Sequence, residues 1–258
     1  MYLASIGEIF LKGKNRIGFE RKLMKNMRSM LDLAPNDLVK FRNRYLIKLE
    51  IEPKNLRRVF GIIFYVKVLE TSLNNINEAA LSLISNEKTF RVTAKKSISL
   101  KKDSQTLNEE IGSYILEKKP DLKVNLETPE IDIRIEEAGN KAYLYKAKDM
   151  IRCFGGLPIG TSGFVQLRVN DEVNSTVAGF LLMKRGCIIS LSKDLPLLHK
   201  FESGFNIRLR EEKDLDIVAT DETFENLDIK QDSKMILRPL LGYFDKQIKE
   251  LYETIKEL

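Results

Sequence analysis

Six residues between an apolar strand and a helix pose the first chemical question. Phe164 to Val169 reads as a short strand, a helix is expected to begin near Ser175, and the turn between them is Asn170-Asp171-Glu172-Val173-Asn174-Ser175. Such a turn offers free backbone N–H groups at the positive end of a helix dipole, where α/β proteins usually hold phosphate. Its composition is wrong for that task. It has no glycine, so side chains stand where the backbone would have to approach a pyrophosphate. Asp171 and Glu172 place negative charge where phosphate oxygens would sit, and two like charges ~4 Å apart repel by several kcal/mol at intermediate dielectric.

A second kind of chemistry is carried by basic residues. Lys12, Lys14, Asn15 and Arg16 occupy a loop that leads into a helix, an arrangement suited to phosphate contact. Lys95, Lys96, Lys101 and Lys102 form another candidate surface, which Arg152 extends, with Lys184 and Arg185 as further members or as complements to a helix C-terminus. Glu8 is expected to brace the Lys12–Arg16 loop. Net charge is +6, with cations crowding the first half and carboxylates the rear: Glu211, Glu212, Asp214, Asp216, Asp221, Glu222, Glu225, Asp228 and Asp232. A basic front suits a polyanion, most simply a nucleic acid; charge alone leaves a solvated lysine-rich surface as an equal reading.

Other chemistries find little material. One histidine, His199, is too few for a histidine-based metal site or triad, and it is expected at the surface or in the core. Cys153 and Cys187 lie far apart outside any CxxC pair, which suggests a reducing, cytoplasmic setting; Cys187 is expected to be buried. No apolar run approaches the ~20 residues of a membrane span, and the opening MYLASIGEIF lacks a signal-peptide layout.

The elements that must position these residues follow from periodicity and punctuation. Strand Tyr2–Ile6, a helix from about Ile17 to Leu33, strands near Leu38–Phe41 and Tyr45–Ile51, a short helix after Pro53 and the β-rich run Ile62–Thr71 give the order β-α-β-β-α-β of a ferredoxin-like domain, residues 1–72. Helix Ile76–Ser85, strand Thr89–Lys95, helix Gln105–Lys118 and a hairpin through Ala138-Gly139-Asn140 form a second unit, 73–163. The glycines around 155–163 read as its linker to a third unit, 164–258. There, strands Phe164–Val169, Cys187–Leu191 and Ile217–Ala219 alternate with helix Ser175–Lys184, an irregular charged stretch follows the second strand, and helix Lys246–Leu258 closes the chain. This alternation predicts a parallel sheet.

Three sets of motifs, in order, resemble the tRNA 4-thiouridine synthetases, the ThiI family. Gly7-Glu8-Ile9, Leu11-Lys12-Gly13-Lys14-Asn15-Arg16 and Phe19-Glu20 resemble its opening signature, and Val59-Phe60-Gly61-Ile62 the close of its N-terminal ferredoxin-like domain. Phe90-Arg91-Val92-Thr93-Ala94-Lys95-Lys96 and Gly156-Leu157-Pro158-Ile159-Gly160-Thr161-Ser162-Gly163 bracket a segment similar to its THUMP domain. Val177-Ala178-Gly179, Met183-Lys184-Arg185-Gly186 and Leu237-Arg238-Pro239-Leu240-Leu241-Gly242 resemble its PP-loop ATP pyrophosphatase domain. The resemblance implies α+β and α/β architecture: ferredoxin-like domain, THUMP domain and a reduced PP-loop-like parallel domain.

Family members activate a tRNA uridine with ATP at an S-G-G-x-D-S loop. Of that signature this chain keeps only Ser175: Asn170, Asp171 and Glu172 stand in the Ser-Gly-Gly positions, and Asn174 replaces an aspartate able to help hold a metal-bound nucleotide. Thr220-Asp221-Glu222 runs almost straight into Thr223-Phe224-Glu225-Asn226-Leu227, the PP-loop cysteine has no counterpart, and no rhodanese extension follows Leu258. The implied reading is a tRNA-binding recognition subunit or scaffold without its own adenylation, with no catalytic residues, metal or cofactor. Its partners would be tRNA and either a second copy or a separate catalytic protein. The alternative is a divergent ATP-dependent tRNA sulfurtransferase of the 4-thiouridine/thiamine pathway. A structural subunit without RNA affinity is a third.

Overall fold

The computed structural model describes residues 1–96, 99, 101–204, 206–209, 215–227 and 234–258. The acidic positions Glu211, Glu212, Asp214, Asp228 and Asp232 lie outside them. By their contacts the described residues form two units, one of residues 1–4, 39–52 and 65–151, the other of residues 5–38, 53–64 and 152–258.

In chain order the first elements are β1 (Tyr2–Ile6), α1 (Arg16–Leu31), β2 (Leu38–Lys40), β3 (Arg44–Ile47) and β4 (Ile62–Lys67). A 3-10 turn over Lys54–Arg58 stands where the second helix was expected. Then come β5 (Leu69–Ser72), α2 (Ile76–Ser82), β6 (Thr89–Ala94), α3 (Ser104–Lys118), β7 (Lys123–Val124), β8 (Ile131–Ala138), β9 (Lys141–Lys146) and β10 (Ile151–Arg152). One five-stranded sheet runs β10-β4-β1-β3-β2, the ferredoxin-like order with β10 added at an edge. The run Ile62–Thr71, expected as one strand, breaks after Lys67, and β5 pairs antiparallel with β9 in the second sheet.

That second sheet runs β5-β9-β8-β6-β7, with β6 parallel to β8 and β7, and β8 antiparallel to β9. Strict alternation sorts its faces. Phe90, Val92 and Ala94 of β6 and Ile131, Ile133 and Ile135 of β8 join Leu107, Ile111 and Ile115 of α3 in a continuous apolar core. Arg91, Thr93, Asp132, Arg134 and Glu136 take the other face. Asp103 begins α3 by accepting a hydrogen bond from the Thr106 amide at 2.8 Å, as an N-cap aspartate should.

The remaining elements are β11 (Phe164–Leu167), α4 (Glu172–Lys184), β12 (Ile188–Leu191), β13 (Ile207–Leu209), β14 (Ile217–Ala219), β15 (Met235–Leu237) and α5 (Asp245–Lys256). All neighbours in the sheet β13-β12-β11-β14-β15 are parallel, as the alternation predicted. Within the expected irregular stretch, a 3-10 segment Pro196–Phe201 and β13 are formed. Taken by chain order inside this sheet, the strands run 3-2-1-4-5, a doubly wound arrangement that reverses direction between β11 and β14. Helix α4 is apolar on nearly every side, with Val177, Ala178, Phe180, Leu182 and Met183 buried, as a helix enclosed by its neighbours must be. Phe180 meets Phe201 and Phe60 with ring centroids 5.2 and 5.3 Å apart, and Phe154 at 4.9 Å.

The glycine-rich stretch read as a linker is a strapped segment. The amide of Leu157 donates to the Lys184 carbonyl at 2.9 Å, and those of Gly160, Thr161 and Ser162 converge on the Gly186 carbonyl. Gly156 adopts φ +77°, and a Cβ there would collide with the carbonyl oxygen of Lys184. The glycines serve close approach, not flexibility.

Candidate functional site

The switch point of the parallel sheet is where doubly wound folds open a crevice at the carboxyl ends of their strands. Here the turn after β11 and the residues after β14 meet at that point. Asp221 follows β14 and is 3% exposed. Its Oδ2 accepts hydrogen bonds from the backbone amides of Asn170 (3.1 Å) and Asp171 (2.8 Å) and from Ser175 Oγ (2.6 Å); its Oδ1 accepts one from Asn170 Nδ2 at 2.7 Å. Burial pushes this carboxyl up, but the Ser175 hydroxyl, the Asn170 side chain and the two amides outweigh it and hold it below the usual aspartate range. The donors that a phosphate loop would turn toward an anion are bound to a carboxylate of the chain itself.

The expected helix start near Ser175 is therefore one turn late. Asp171 is the N-cap, its carboxylate accepting from the Asn174 amide at 2.8 Å, and α4 begins at Glu172. Asp171 acts as a cap and Glu172 lies in the first turn, where a negative charge suits the helix dipole. Asn170, Asp171 and Glu172 are exposed and Asn174 partly so; Ser175 is fully buried against Asp221. The amides of Asn170 and Asp171 and the Ser175 hydroxyl, which a phosphate at this loop would compete for, are already engaged by Asp221.

Beside β15, Glu222 accepts from Arg238 Nε at 2.7 Å, so the arginine of the Leu237–Gly242 motif is held by the carboxylate next to Asp221. A cleft of about 480 Å³ opens along α4, lined in part by Lys184, Arg185, Arg238, Tyr243 and Glu8. Glu8 does not brace the basic loop as expected; its carboxylate faces Arg185 at 3.6 Å.

The basic loop is shaped by two consecutive 3-10 turns, Glu8–Leu11 and Gly13–Asn15, ahead of α1. Ile9 is fully buried and anchors it. Lys12 Nζ lies 5.2 Å from the centre of the Phe19 ring, a cation–π distance, and Lys14 and Asn15 are exposed. Arg16 is committed differently: its Nε donates to the buried Glu20 at 2.7 Å, one helical turn on.

The second set of cations also divides. Lys95 Nζ pairs with Glu136 at 2.9 Å, and Glu136 further takes two hydrogen bonds from Arg44 (2.8 and 3.0 Å) and one from Tyr145 Oη at 2.9 Å. Burial raises the Glu136 carboxyl, while Arg44 and Lys95 more than reverse the shift. Burial and Glu136 together push the Tyr145 phenol upward. Lys102 pairs with Glu110 at 2.6 Å. Lys96 and Lys101 are exposed and carry no hydrogen bond or ion pair among the described residues; Lys101 sits at φ +54°. Arg152 is exposed on β10.

Cys187 is buried as expected. Cys153 is half-buried, and burial pushes its thiol up to about 12, which removes the thiolate a reactive cysteine needs. His199 bridges Asp194 (2.8 Å) and Glu202 (3.1 Å). Among the described residues no cluster of metal ligands occurs, and no helix is long and apolar enough to cross a membrane.

Residues 1–65 match the ThiI ferredoxin-like domain, and residues 70–146 match the THUMP domain. The chain belongs to the ThiI family through these two domains. A probable tRNA sulfurtransferase of Geobacillus thermodenitrificans is 34% identical over 84% of this ThiI-family chain and 55% of its own length. One from Clostridium kluyveri is 36% identical over 69% of this chain and 48% of its own. The chain thus spans about half the length of these curated relatives. Among solved structures, PH1313 from Pyrococcus horikoshii superposes over 99% of both chains with TM-score 0.80 and 26% identity. A 4-thiouridine synthetase–RNA complex with bound ATP shares the fold, with TM-score 0.73 and 23% identity over 98% of this chain and 84% of that one.

Asp221 and the exposed residues Phe10 and Leu11 escaped the sequence reading. Asp221 could have been suspected as an acid directly after the strand that faces the loop across a switch point, but only once the strand order was known. Phe10 and Leu11 carried a plainer signal: with Ile9 they make three consecutive large apolar residues in a short loop, of which only Ile9 is buried.

Proposed function

We propose that this chain binds tRNA through its ferredoxin-like and THUMP domains and serves tRNA modification as a recognition subunit or scaffold, without adenylating RNA itself. The single observation that carries the second half is Asp221, whose carboxylate saturates the loop where a nucleotide phosphate would have to bind. The RNA half is supported by the domain matches, by exposed cations at Lys14, Lys96, Lys101 and Arg152, and by the half-buried Lys12, all suited to phosphate and 2′-OH contacts on folded RNA. Asn15 shares the first loop. Arg16, Lys95 and Lys102 are better read as scaffold, since each is paired to a carboxylate. A separate catalytic protein would then supply the chemistry, whether the chain acts singly or paired with a second copy.

The second reading, a divergent ATP-dependent tRNA sulfurtransferase, is favoured by the names of the relatives and by retention of Ser175 at the loop. Titration of the protein with Mg-ATP, with and without tRNA, separates the two. The proposal expects no ATP binding and no pyrophosphate release in either case, and tRNA affinity that falls steeply with salt. Pyrophosphate release that depends on tRNA would overturn it.

A further inference from the structure

We infer that Phe10, in a basic loop that also exposes Leu11 and leads to the exposed Ile17, is a stacking platform for unpaired RNA bases, with Lys12 and Lys14 of the same loop as phosphate contacts. This rests on the RNA-binding reading and deepens it by separating what the loop reads from what it merely attracts. The first observation is exposure: Phe10 is 52%, Leu11 71% and Ile17 59% exposed, within eight residues of chain. Large apolar side chains so close together on a surface are uncommon unless something covers them.

The second observation is that the loop presents them rigidly. Ile9, between Glu8 and Phe10, is fully buried. The Gly7 amide donates to the Gly61 carbonyl at 3.1 Å, the Lys12 amide to Ile9 at 3.2 Å and the Asn15 amide to Lys12 at 3.1 Å. Both 3-10 turns pack against α1. Phe10 and Leu11 therefore cannot turn inward without dismantling the turn that buries Ile9.

The third observation is charge, which selects the occupant. Lys12 and Lys14 stand in the chain between Leu11 and Ile17, and α1 continues with Arg21 and Lys25, both exposed. An aromatic face among exposed cations is the arrangement used for single-stranded nucleic acid: bases stack on the ring while lysines follow the phosphates, and the preference for sequence is weak. A protein partner would have to bury those lysines or bring its own carboxylates to them. A blunt RNA duplex offers the ring only its two terminal base-pair faces, because its internal bases are already stacked.

The test uses the full chain, a labelled unpaired oligoribonucleotide and a blunt duplex of equal charge, with affinities measured over a range of salt. Phe10→Ala should weaken binding of the unpaired strand roughly five- to a hundred-fold, leave the duplex unchanged and leave the salt slope unaltered. Phe10→Trp should retain the affinity, which also controls for folding. An unchanged affinity for Phe10→Ala would overturn the inference, as would equal losses for strand and duplex. A variant altered only in self-association or in protein capture would assign the patch to a protein partner instead. If the unaltered protein binds neither RNA, the RNA-binding reading itself fails and takes this inference with it.

Discussion

Ser175 donates its hydroxyl to Asp221 at 2.6 Å, joining the one residue kept from the family's phosphate-loop signature to a carboxylate on the neighbouring strand's exit. The bond turns a ligand-binding geometry inward. Asn170, Asp171 and Ser175 still point donors at a common centre, as a phosphate loop does, and the anion at that centre is built in.

Asp221→Asn tests how much stability this arrangement carries. The amide keeps the shape of the carboxylate but presents N–H to donors wherever one of its oxygens accepted. Removing one partner from a buried, charge-assisted network costs about 2–4 kcal/mol. Urea unfolding should show a lower midpoint with an unchanged slope; an unaltered midpoint would mean the network contributes nothing.

The same groups set the pH response. Asp221, Glu136 and Asp132 all titrate below their ordinary values in the folded protein. A depressed carboxyl contributes stability that is present above its unfolded pKa, near 4, and lost as pH falls through the folded value. His199 is shifted the opposite way: its own burial lowers it, and Asp194 and Glu202 more than offset that. Its contribution is complete below ~6.5 and lost as pH rises through the raised value. Unfolding midpoints should therefore fall on both sides of a maximum near pH 5–6. His199→Gln should flatten only the alkaline limb; a matching change on the acid limb would contradict the assignment.

Much of this was legible in the chain, for physical reasons that also explain the misses. Alternating apolar residues in β6 and β8 and the apolar length of α4 are local patterns, and local patterns survive in a single sequence. The split of Ile62–Thr71 between two sheets is not local: each half is a good strand, and only pairing with Leu144 and Tyr143 on β9 draws the second half away. Asp171 was read as a repelling charge because its partner, the Asn174 amide, exists only when the helix starts a turn early. Asp221 lies 46 residues from Ser175, and nothing in either segment announces the other.

Gly156 and Gly163 separate two costs that glycine avoids. Both sit in the left-handed region, at φ +77° and +88°, so alanine strains the backbone at either. Only at Gly156 would the added methyl also meet the Lys184 carbonyl; at Gly163 it would meet nothing within 4 Å. Gly163→Ala should cost about 1 kcal/mol, and Gly156→Ala at least ~2 kcal/mol more, because the strap onto the end of α4 must shift. Thermal midpoints for the pair give the difference directly, and equal losses would show that the strap relaxes freely.

The basic loop predicts a division between affinity and stability. Lys14 faces solvent and Lys12 only overlies the Phe19 ring, so Lys12→Gln with Lys14→Gln should leave unfolding nearly unchanged. It should weaken tRNA binding and reduce the slope of log affinity against log salt by about 2, one for each phosphate that a lysine no longer neutralises. Arg16 should behave otherwise. Its removal strands the buried Glu20 carboxylate, so Arg16→Gln should cost about 1–3 kcal/mol of stability while the slope stays near that of the unaltered protein. Parallel salt series and urea titrations on the three proteins decide the matter: an unchanged slope in the double lysine variant would remove this loop from the RNA interface.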